Sequence, residues 1–216
     1  VFPGRDNVLF VIDRRAMLGG VLVVGMLAVT GCTSTVNFGI TVDGVRKAAV
    51  SAGSSPGRCP IPFDLSVALP GGHSVRSGPV DVRVSKTTTP AADPLVAQRD
   101  QGMSALDAIA GVSIDCQYQV DDKTFDALFV AVPGHGAIDL MAAQIDRAAH
   151  LDVVQVRDFL DHAPQPGEVK LTPGGDIAVA RVRVQGDGDA SLLVDPAGLV
   201  TGDALAKTAG TLAGQI

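Results

Sequence analysis

Aromatic side chains are scarce in this chain, which has no tryptophan, one tyrosine and seven phenylalanines among 216 residues. Binding sites for single-stranded nucleic acids and for sugars usually stack their ligands on aromatic rings, so the composition argues against both. Runs of basic residues are also lacking, and the formal net charge is −6. Because nucleic-acid affinity comes mainly from lysine and arginine paired with phosphates, no nucleic-acid partner is expected.

Long hydrophobic runs are lacking as well. The longest, Ala16–Thr30, has 15 residues, whereas a bilayer-spanning helix needs roughly 20, and its glycines are poor helix formers. It follows the pair Arg14 and Arg15 and ends at the small residue Gly31. A positive region, a short apolar core and small residues are the parts of an export signal, so residues 1–31 are predicted to be a signal peptide. An uncleaved transmembrane anchor is the alternative.

Cys32 directly follows this apolar core. The four residues Val29-Thr30-Gly31-Cys32 resemble a bacterial lipobox, in which the cysteine is lipidated and becomes the first residue of the mature protein. The resemblance implies a diacylglyceryl group on Cys32, often joined by a further acyl chain such as palmitate. It also implies a lipid-anchored location on the extracytoplasmic side of the cell membrane. Residues 13–18 resemble a twin-arginine export motif that lacks its usual lysine, so both export routes stay open.

The part of the chain from Cys32 onward is acidic. Residues 1–31 carry three arginines and two aspartates, so the remainder has a net charge of −7. An acidic domain gains no attraction to an anionic membrane surface, so the lipid on Cys32 is expected to hold it there. The tether that follows, residues 33–35, is very short, and the domain is therefore expected to sit close to the bilayer.

Two cysteines remain after Cys32, namely Cys59 and Cys116. In an exported protein an even pair indicates a disulfide. Closing that loop would stabilise the fold by roughly 4 kcal/mol, because it restricts the unfolded chain. Two buried free thiols are the alternative. A cysteine nucleophile fits the pattern less well, since Cys116 falls within a predicted strand and has no histidine nearby in sequence.

Hydrophobic periodicity predicts an α+β fold. The clearest strand is 112–120, where apolar and polar residues alternate as in a half-buried antiparallel strand. Consecutive strands on short turns predict an antiparallel sheet, and intervening helices predict one covered face, a two-layer sandwich. Within a single domain at 61–216, the predicted strands are 63–69, 80–84, 112–120, 125–132, 168–172, 177–185 and 190–195, and the predicted helices are 95–110, 137–150, 153–160 and 203–215.

The lipidated N-terminal segment, residues 32–60, is predicted to be a hairpin or a loop. Residues 36–42 alternate in polarity, with Phe38 and Ile40 among the apolar ones, and Asp43-Gly44 follows. That pattern is typical of a hairpin. A loop is the alternative, because a lipidated N-terminus favours a linker.

The sequence contains two histidines, His73 and His135, in positions that could suit a catalytic role. His73 and His135 lie in glycine-rich segments, and functional residues favour such loops. No nucleophile motif accompanies either histidine. We therefore assign no catalytic residue and expect no enzyme activity.

Metal and anion sites are indicated no better. Asp187-Gly188-Asp189 lacks the further ligands and the closing glutamate of a calcium loop, which favours a hairpin turn. Asp146 and His150 make only half a metal site on a helix. Arg181 and Arg183 would suit an anionic ligand, but a solvent-exposed strand face explains them more simply. No metal and no cofactor are therefore predicted.

The general plan is similar to that of small lipoproteins of high-GC Gram-positive bacteria: a lipobox, a short tether, one cysteine pair and an α+β domain. The resemblance predicts a non-enzymatic binding or accessory module of the cell envelope, with an envelope protein or a lipid as partner. The alternative is an acyl-chain carrier with an apolar pocket between sheet and helices. A third hypothesis is an envelope hydrolase that uses His73 or His135.

Overall fold

A computed structural model of the chain describes residues 40–216. The predicted signal peptide, its arginines and Cys32 lie outside these residues. The strands are β1 (Val75–Val84), β2 (Val112–Val120), β3 (Lys123–Pro133), β4 (Val169–Leu171), β5 (Ala178–Val182) and β6 (Gly188–Asp195). The helices are α1 (Val42–Ala52), α2 (Leu65–Ala68), α3 (Pro94–Gln101), α4 (Ala105–Ala108), α5 (Ala142–Ala149), α6 (Val153–Asp161) and α7 (Gly202–Ala213), with a 3₁₀ turn at Asp139–Met141.

The six strands form one sheet in the order β1-β2-β3-β6-β5-β4. Every ladder between neighbouring strands is antiparallel. The predicted α+β class, with its antiparallel sheet and a layer of helices packed on it, is therefore confirmed.

The main hydrophobic core lies between one face of the sheet and the helices α1, α2 and α7. Because side chains alternate along a strand, the apolar residues of β2 all enter this core, as its pattern predicted. Phe125 and Phe129 of β3 and Leu205 and Leu212 of α7 belong to this core, and all four are fully buried. Val45 of α1 adds to the same core.

A smaller apolar cluster lies on part of the opposite face. Here Leu128 and Leu193 of the sheet pack with Met141 of the 3₁₀ turn, Ile145 of α5 and Phe159 of α6. The rest of this face, over β1 and β2, carries polar side chains such as those of residues 81, 83, 115 and 117. The opposite face is thus only partly covered, which leaves a polar surface beside α5.

The disulfide is confirmed, since Cys59 and Cys116 are bonded with their Cα atoms 5.6 Å apart. Cys116 is fully buried in the middle of β2, as its place in the alternating pattern predicted. The bond therefore ties the segment between α1 and α2 to the centre of the sheet.

Two predictions of extended structure near the N-terminus are wrong. The predicted strand 63–69 contains α2 instead, because the Asp64 carboxylate accepts hydrogen bonds from the backbone N–H groups of Ser66 and Val67 and caps a helical turn. The hairpin predicted around Asp43-Gly44 is helix α1 from Val42 onward, capped by the Thr41 side chain. Residues 36–39 of that prediction lie outside the described part of the chain.

Two predicted helices are interrupted. The helix expected at 95–110 divides into α3 and α4, because Gly102 takes a left-handed conformation with φ +67° and Ser104 caps a new turn. The helix expected at 137–150 begins with a 3₁₀ turn before α5. Within residues 40–216, no helix combines the length and the apolar character needed to cross a membrane.

Candidate functional site

A groove with a volume of about 360 Å³ lies on the polar part of the second sheet face, beside α5. The register of the sheet builds it, because Asp126 of β3 lies opposite Asp195 of β6 on one side and opposite Gln117 of β2 on the other. Asp115 follows two residues away on β2. We call this surface the polar groove and define it by Asp115, Gln117, Asp126, Gln144, Arg147 and Asp195.

Two acceptor atoms in the polar groove have no donor. The Oδ1 atom of Asp126 and the Oε1 atom of Gln144 are shielded from solvent, and neither accepts a hydrogen bond among residues 40–216. Leaving a buried acceptor unpaired costs roughly 1–3 kcal/mol. A partner that brings N–H or O–H donors into the groove would remove that cost.

The carboxylates of the polar groove disfavour one another's charge. Burial, and then the nearby charges of Asp115 and Asp195, raise the pKa of Asp126 to about 6. Burial and then the Asp81 carboxylate raise the pKa of Asp115, while Arg83 opposes the change. Such a site favours a positively charged or hydrogen-bond-donating partner. Within the described residues no three histidine, cysteine or acidic side chains are placed to hold a metal ion.

Asp189 is a buried structural carboxylate, 4% exposed. Its Oδ2 atom accepts from the backbone N–H groups of Gly136 and Ala137, each at 3.1 Å, and its Oδ1 atom accepts from Arg181 Nε at 2.8 Å. Asp189 thus fastens the loop after β3 to the start of β6. The hairpin interpretation of residues 187–189 fits this geometry. Sequence reasoning missed the buried ion pair, because nothing local distinguishes Asp189 from the exposed Asp187.

The two arginines of the β5 segment have different surroundings. Arg181 pairs with Asp189, so solvent exposure does not account for it. Arg183 is exposed, and its Nε atom donates to the Pro166 carbonyl at 3.2 Å.

The candidate histidines lie at opposite ends of the sheet. His73 Nδ1 lies 2.7 Å from Asp121 Oδ2 at the β2–β3 turn, and its Nε2 lies 3.0 Å from the Pro70 carbonyl oxygen. The hydrogen bond to Asp121 raises the pKa of His73. His135 is exposed in the loop after the far end of β3. The structure therefore does not bring the two histidines together.

A second groove, of about 490 Å³, opens between the β4–β5 edge and the C-terminal end of α7. The described chain enters the fold here, since Ile40 forms an isolated parallel bridge with Val184 and its carbonyl accepts from Gln185 N at 2.8 Å. We call it the edge groove and define it by Ile40, Gly167, Val169, Val182, Val184 and Ile216.

Comparison with known proteins finds no match to this chain, whether with protein-family models, with curated proteins or with solved structures.

Proposed function

We propose that this protein is a lipid-anchored, extracytoplasmic binding or accessory module of the cell envelope, without enzymatic activity. In this proposal Cys32 carries the anchor and the polar groove contacts an envelope protein. The observation that carries the binding role is the pair of buried acceptors, Asp126 Oδ1 and Gln144 Oε1, that have no donor among the described residues.

The chemistry of the groove suggests what the partner presents. Asp115, Asp126 and Asp195 supply three negative charges against the one positive charge of Arg147, and the largely buried Leu128 and Leu193 also line the groove. A lysine or arginine side chain combines an apolar stem with a charged, donating head. A protein segment with exposed basic residues is therefore the partner that we propose.

The anchoring role rests on the sequence around Cys32 and is supported by the Cys59–Cys116 bond. Disulfides persist in oxidising compartments and are rare in the reducing cytosol. An extracytoplasmic location accounts for both features.

Fractionation of cells that express the full-length chain tests the anchor. We expect the wild-type protein in the membrane fraction and a Cys32→Ser variant in the soluble or secreted fraction, because the lipid provides the attachment. A Ser34→Ala variant serves as the matched control and should stay with the membrane. Unchanged membrane retention of Cys32→Ser would contradict the lipoprotein proposal.

Quantitative cross-linking in the same cells tests the groove. We expect an Asp126→Asn, Asp195→Asn variant to lose about tenfold in yield of its cross-linked envelope partner, because two groove charges are removed. The control is Asp122→Asn, Asp203→Asn, which removes two exposed charges elsewhere. Equal yields from the two variants would exclude the polar groove as the contact surface.

The acyl-chain carrier remains a second proposal, favoured by the edge groove alone. That groove lies between a strand and a helix, and its lining combines valine and isoleucine side chains with Glu168, Arg181 and Arg183. It is open to solvent at the margin of the sheet. Lipid co-purifying with the protein, detected by mass spectrometry, would favour this function over the first.

A further inference from the structure

Both nitrogens of the His73 ring face oxygen atoms. Nδ1 lies 2.7 Å from a carboxylate oxygen of Asp121, and Nε2 lies 3.0 Å from the carbonyl oxygen of Pro70. An ionised carboxylate and a carbonyl can only accept hydrogen bonds, whereas a neutral imidazole has a single N–H to donate. The ring therefore satisfies both contacts at once only in its doubly protonated, positively charged form.

The Asp121 carboxylate is a fixed partner for this ring. Asp121 lies in the tight turn between β2 and β3, in a left-handed conformation with φ +54°. Its Oδ1 atom accepts from Ser74 N at 2.9 Å, and its own N–H donates to the Ser74 carbonyl at 2.9 Å. Hydrogen bonds from His73 and then from Ser74 lower the pKa of Asp121. The carboxylate therefore keeps its charge over the pH range in which a histidine titrates.

Other charged side chains belong to the segments that meet here. Arg76 is the second residue of β1, and Asp122 and Lys123 follow Asp121 in the turn. Lys123 Nζ donates to the Gly198 carbonyl at 3.1 Å. Among the described residues, the charge that raises the pKa of His73 is that of Asp121. The protonation of the ring is therefore set mainly by this one partner.

Loss of one proton from the ring removes the contact with Pro70. The remaining N–H stays on Nδ1, because a hydrogen bond to a charged carboxylate is stronger than one to a neutral carbonyl. Nε2 then presents a lone pair to the Pro70 carbonyl oxygen. Little else holds this exposed loop: among the described residues, a side chain at Gly72 would meet no atom within 4 Å, and one at Gly71 would meet only the His73 ring.

We propose that His73 is a pH-dependent latch, which ties the α2–β1 loop to the β2–β3 turn while its ring is doubly protonated and frees residues 70–72 when the ring loses a proton. The hydrogen bond to Asp121 raises the pKa of folded His73 above the value of 6.5 that is usual for histidine. The latch is therefore complete below about pH 6.5 and is lost as the pH rises through the folded pKa.

The latch goes beyond the proposed function and depends on neither the anchor nor the polar groove. Its biological consequence does rest on the proposed location. In an extracytoplasmic domain, the mobility of residues 70–72 would follow the pH outside the cytosol.

Side-chain NMR of the Cys32→Ser protein tests the protonation of the ring. A nitrogen-detected pH titration should show both His73 nitrogens protonated at low pH, with the proton leaving Nε2 as the pH rises. Asp121→Asn should lower the pKa of His73, because it removes the charged acceptor. The matched control, Asp122→Asn, removes the neighbouring exposed charge and should leave the pKa of His73 above that in Asp121→Asn. Equal pKa values in the two variants would overturn the proposal.

Backbone NMR relaxation on the same samples tests the loop. The order parameters of Gly71 and Gly72 should be about 0.85 below the His73 transition, as in a rigid backbone, and about 0.6 or lower above it. His73→Ala should give the lower values at every pH. The control, His135→Ala, alters an exposed histidine in the loop after β3 and should retain the step.

Order parameters that stay constant through the His73 transition would overturn the latch, and so would a step that survives in His73→Ala. Because the protein tested carries no lipid and has an intact polar groove, failure here is distinct from failure of the proposed anchor or partner surface.

Discussion

At the scale of single residues, loss of the buried Asp189 carboxylate is expected to destabilise the fold strongly. It accepts three hydrogen bonds, from Arg181, Gly136 and Ala137. Asp189→Ala leaves the guanidinium of Arg181 and two backbone N–H groups without their acceptor. Because breaking a buried pair by removing one partner costs about 3–5 kcal/mol, we expect a loss of about 3 kcal/mol in the free energy of unfolding, measured by urea denaturation.

The same turn supplies the control for this substitution. Asp187 is exposed and lies two residues before Asp189, so Asp187→Ala should change the free energy of unfolding by less than about 0.5 kcal/mol. Equal losses from the two substitutions would show that the buried ion pair contributes nothing.

Asp126 gives the fold a pH dependence of defined sign. Burial, and then the charges of Asp115 and Asp195, raise its pKa to about 6 in the folded state, whereas an aspartate in an unfolded chain titrates near 3.9. Between these values the folded state binds more protons than the unfolded state, so the contribution of this group to stability falls as the pH rises from about 4 to about 6.

Asp126→Asn removes this dependence. We expect the variant to gain about 1–2 kcal/mol over wild type between pH 4 and pH 7, since partial access to water reduces the full effect of the shift. Urea denaturation at pH 4, 5, 6 and 7 measures the difference. The exposed Asp122→Asn should show no such trend, and a constant difference for Asp126→Asn would refute the assigned cause.

At the scale of the element, sequence periodicity worked where packing decides the structure. β2 has the bounds that its alternation predicted, and α7 lies within one or two residues of its predicted range. Sequence periodicity predicted the wrong element where a side chain caps the backbone. Alternation at 63–69 resembles a strand, yet the Asp64 carboxylate starts a helical turn, because local hydrogen bonds compete with strand formation.

The polar groove was less predictable than the elements that form it. The alternation of residues 112–120 predicts that Asp115 and Gln117 lie on the polar face of β2. The meeting of Asp126 with Asp195 depends on the pairing of β3 with β6, which joins distant parts of the chain. No pattern within one strand reveals its neighbour, so the two unpartnered acceptors could not be foreseen.

The Cys59–Cys116 disulfide joins the segment between α1 and α2 to β2, and its effect on stability can be measured. It links residues 57 apart in sequence, for which the chain-entropy relation gives about 4 kcal/mol. We therefore expect reduction of the wild-type protein to lower the free energy of unfolding by about that amount. Without reductant, thiol labelling of the Cys32→Ser protein should find no free cysteine. Ready labelling of Cys59 and Cys116 would contradict the bond.

At the scale of the whole molecule, the sheet separates two kinds of surface. One face is buried under α1, α2 and α7, and the other leaves polar side chains uncovered beside α5. The edge groove lies at the sheet margin where the described chain begins. The polar groove and the edge groove share no lining residue, so a ligand in one leaves the other free.

The strand order also has a consequence for how the molecule folds. The strands β1 to β3 and the strands β4 to β6 each pair with neighbours along the chain, and the β3–β6 ladder joins these two halves of the sheet. Closing that ladder brings together segments separated by α5 and α6, and pairing over such a distance is slow. We therefore expect the two halves to collapse separately, with the rate of folding set by the moment at which β6 joins β3.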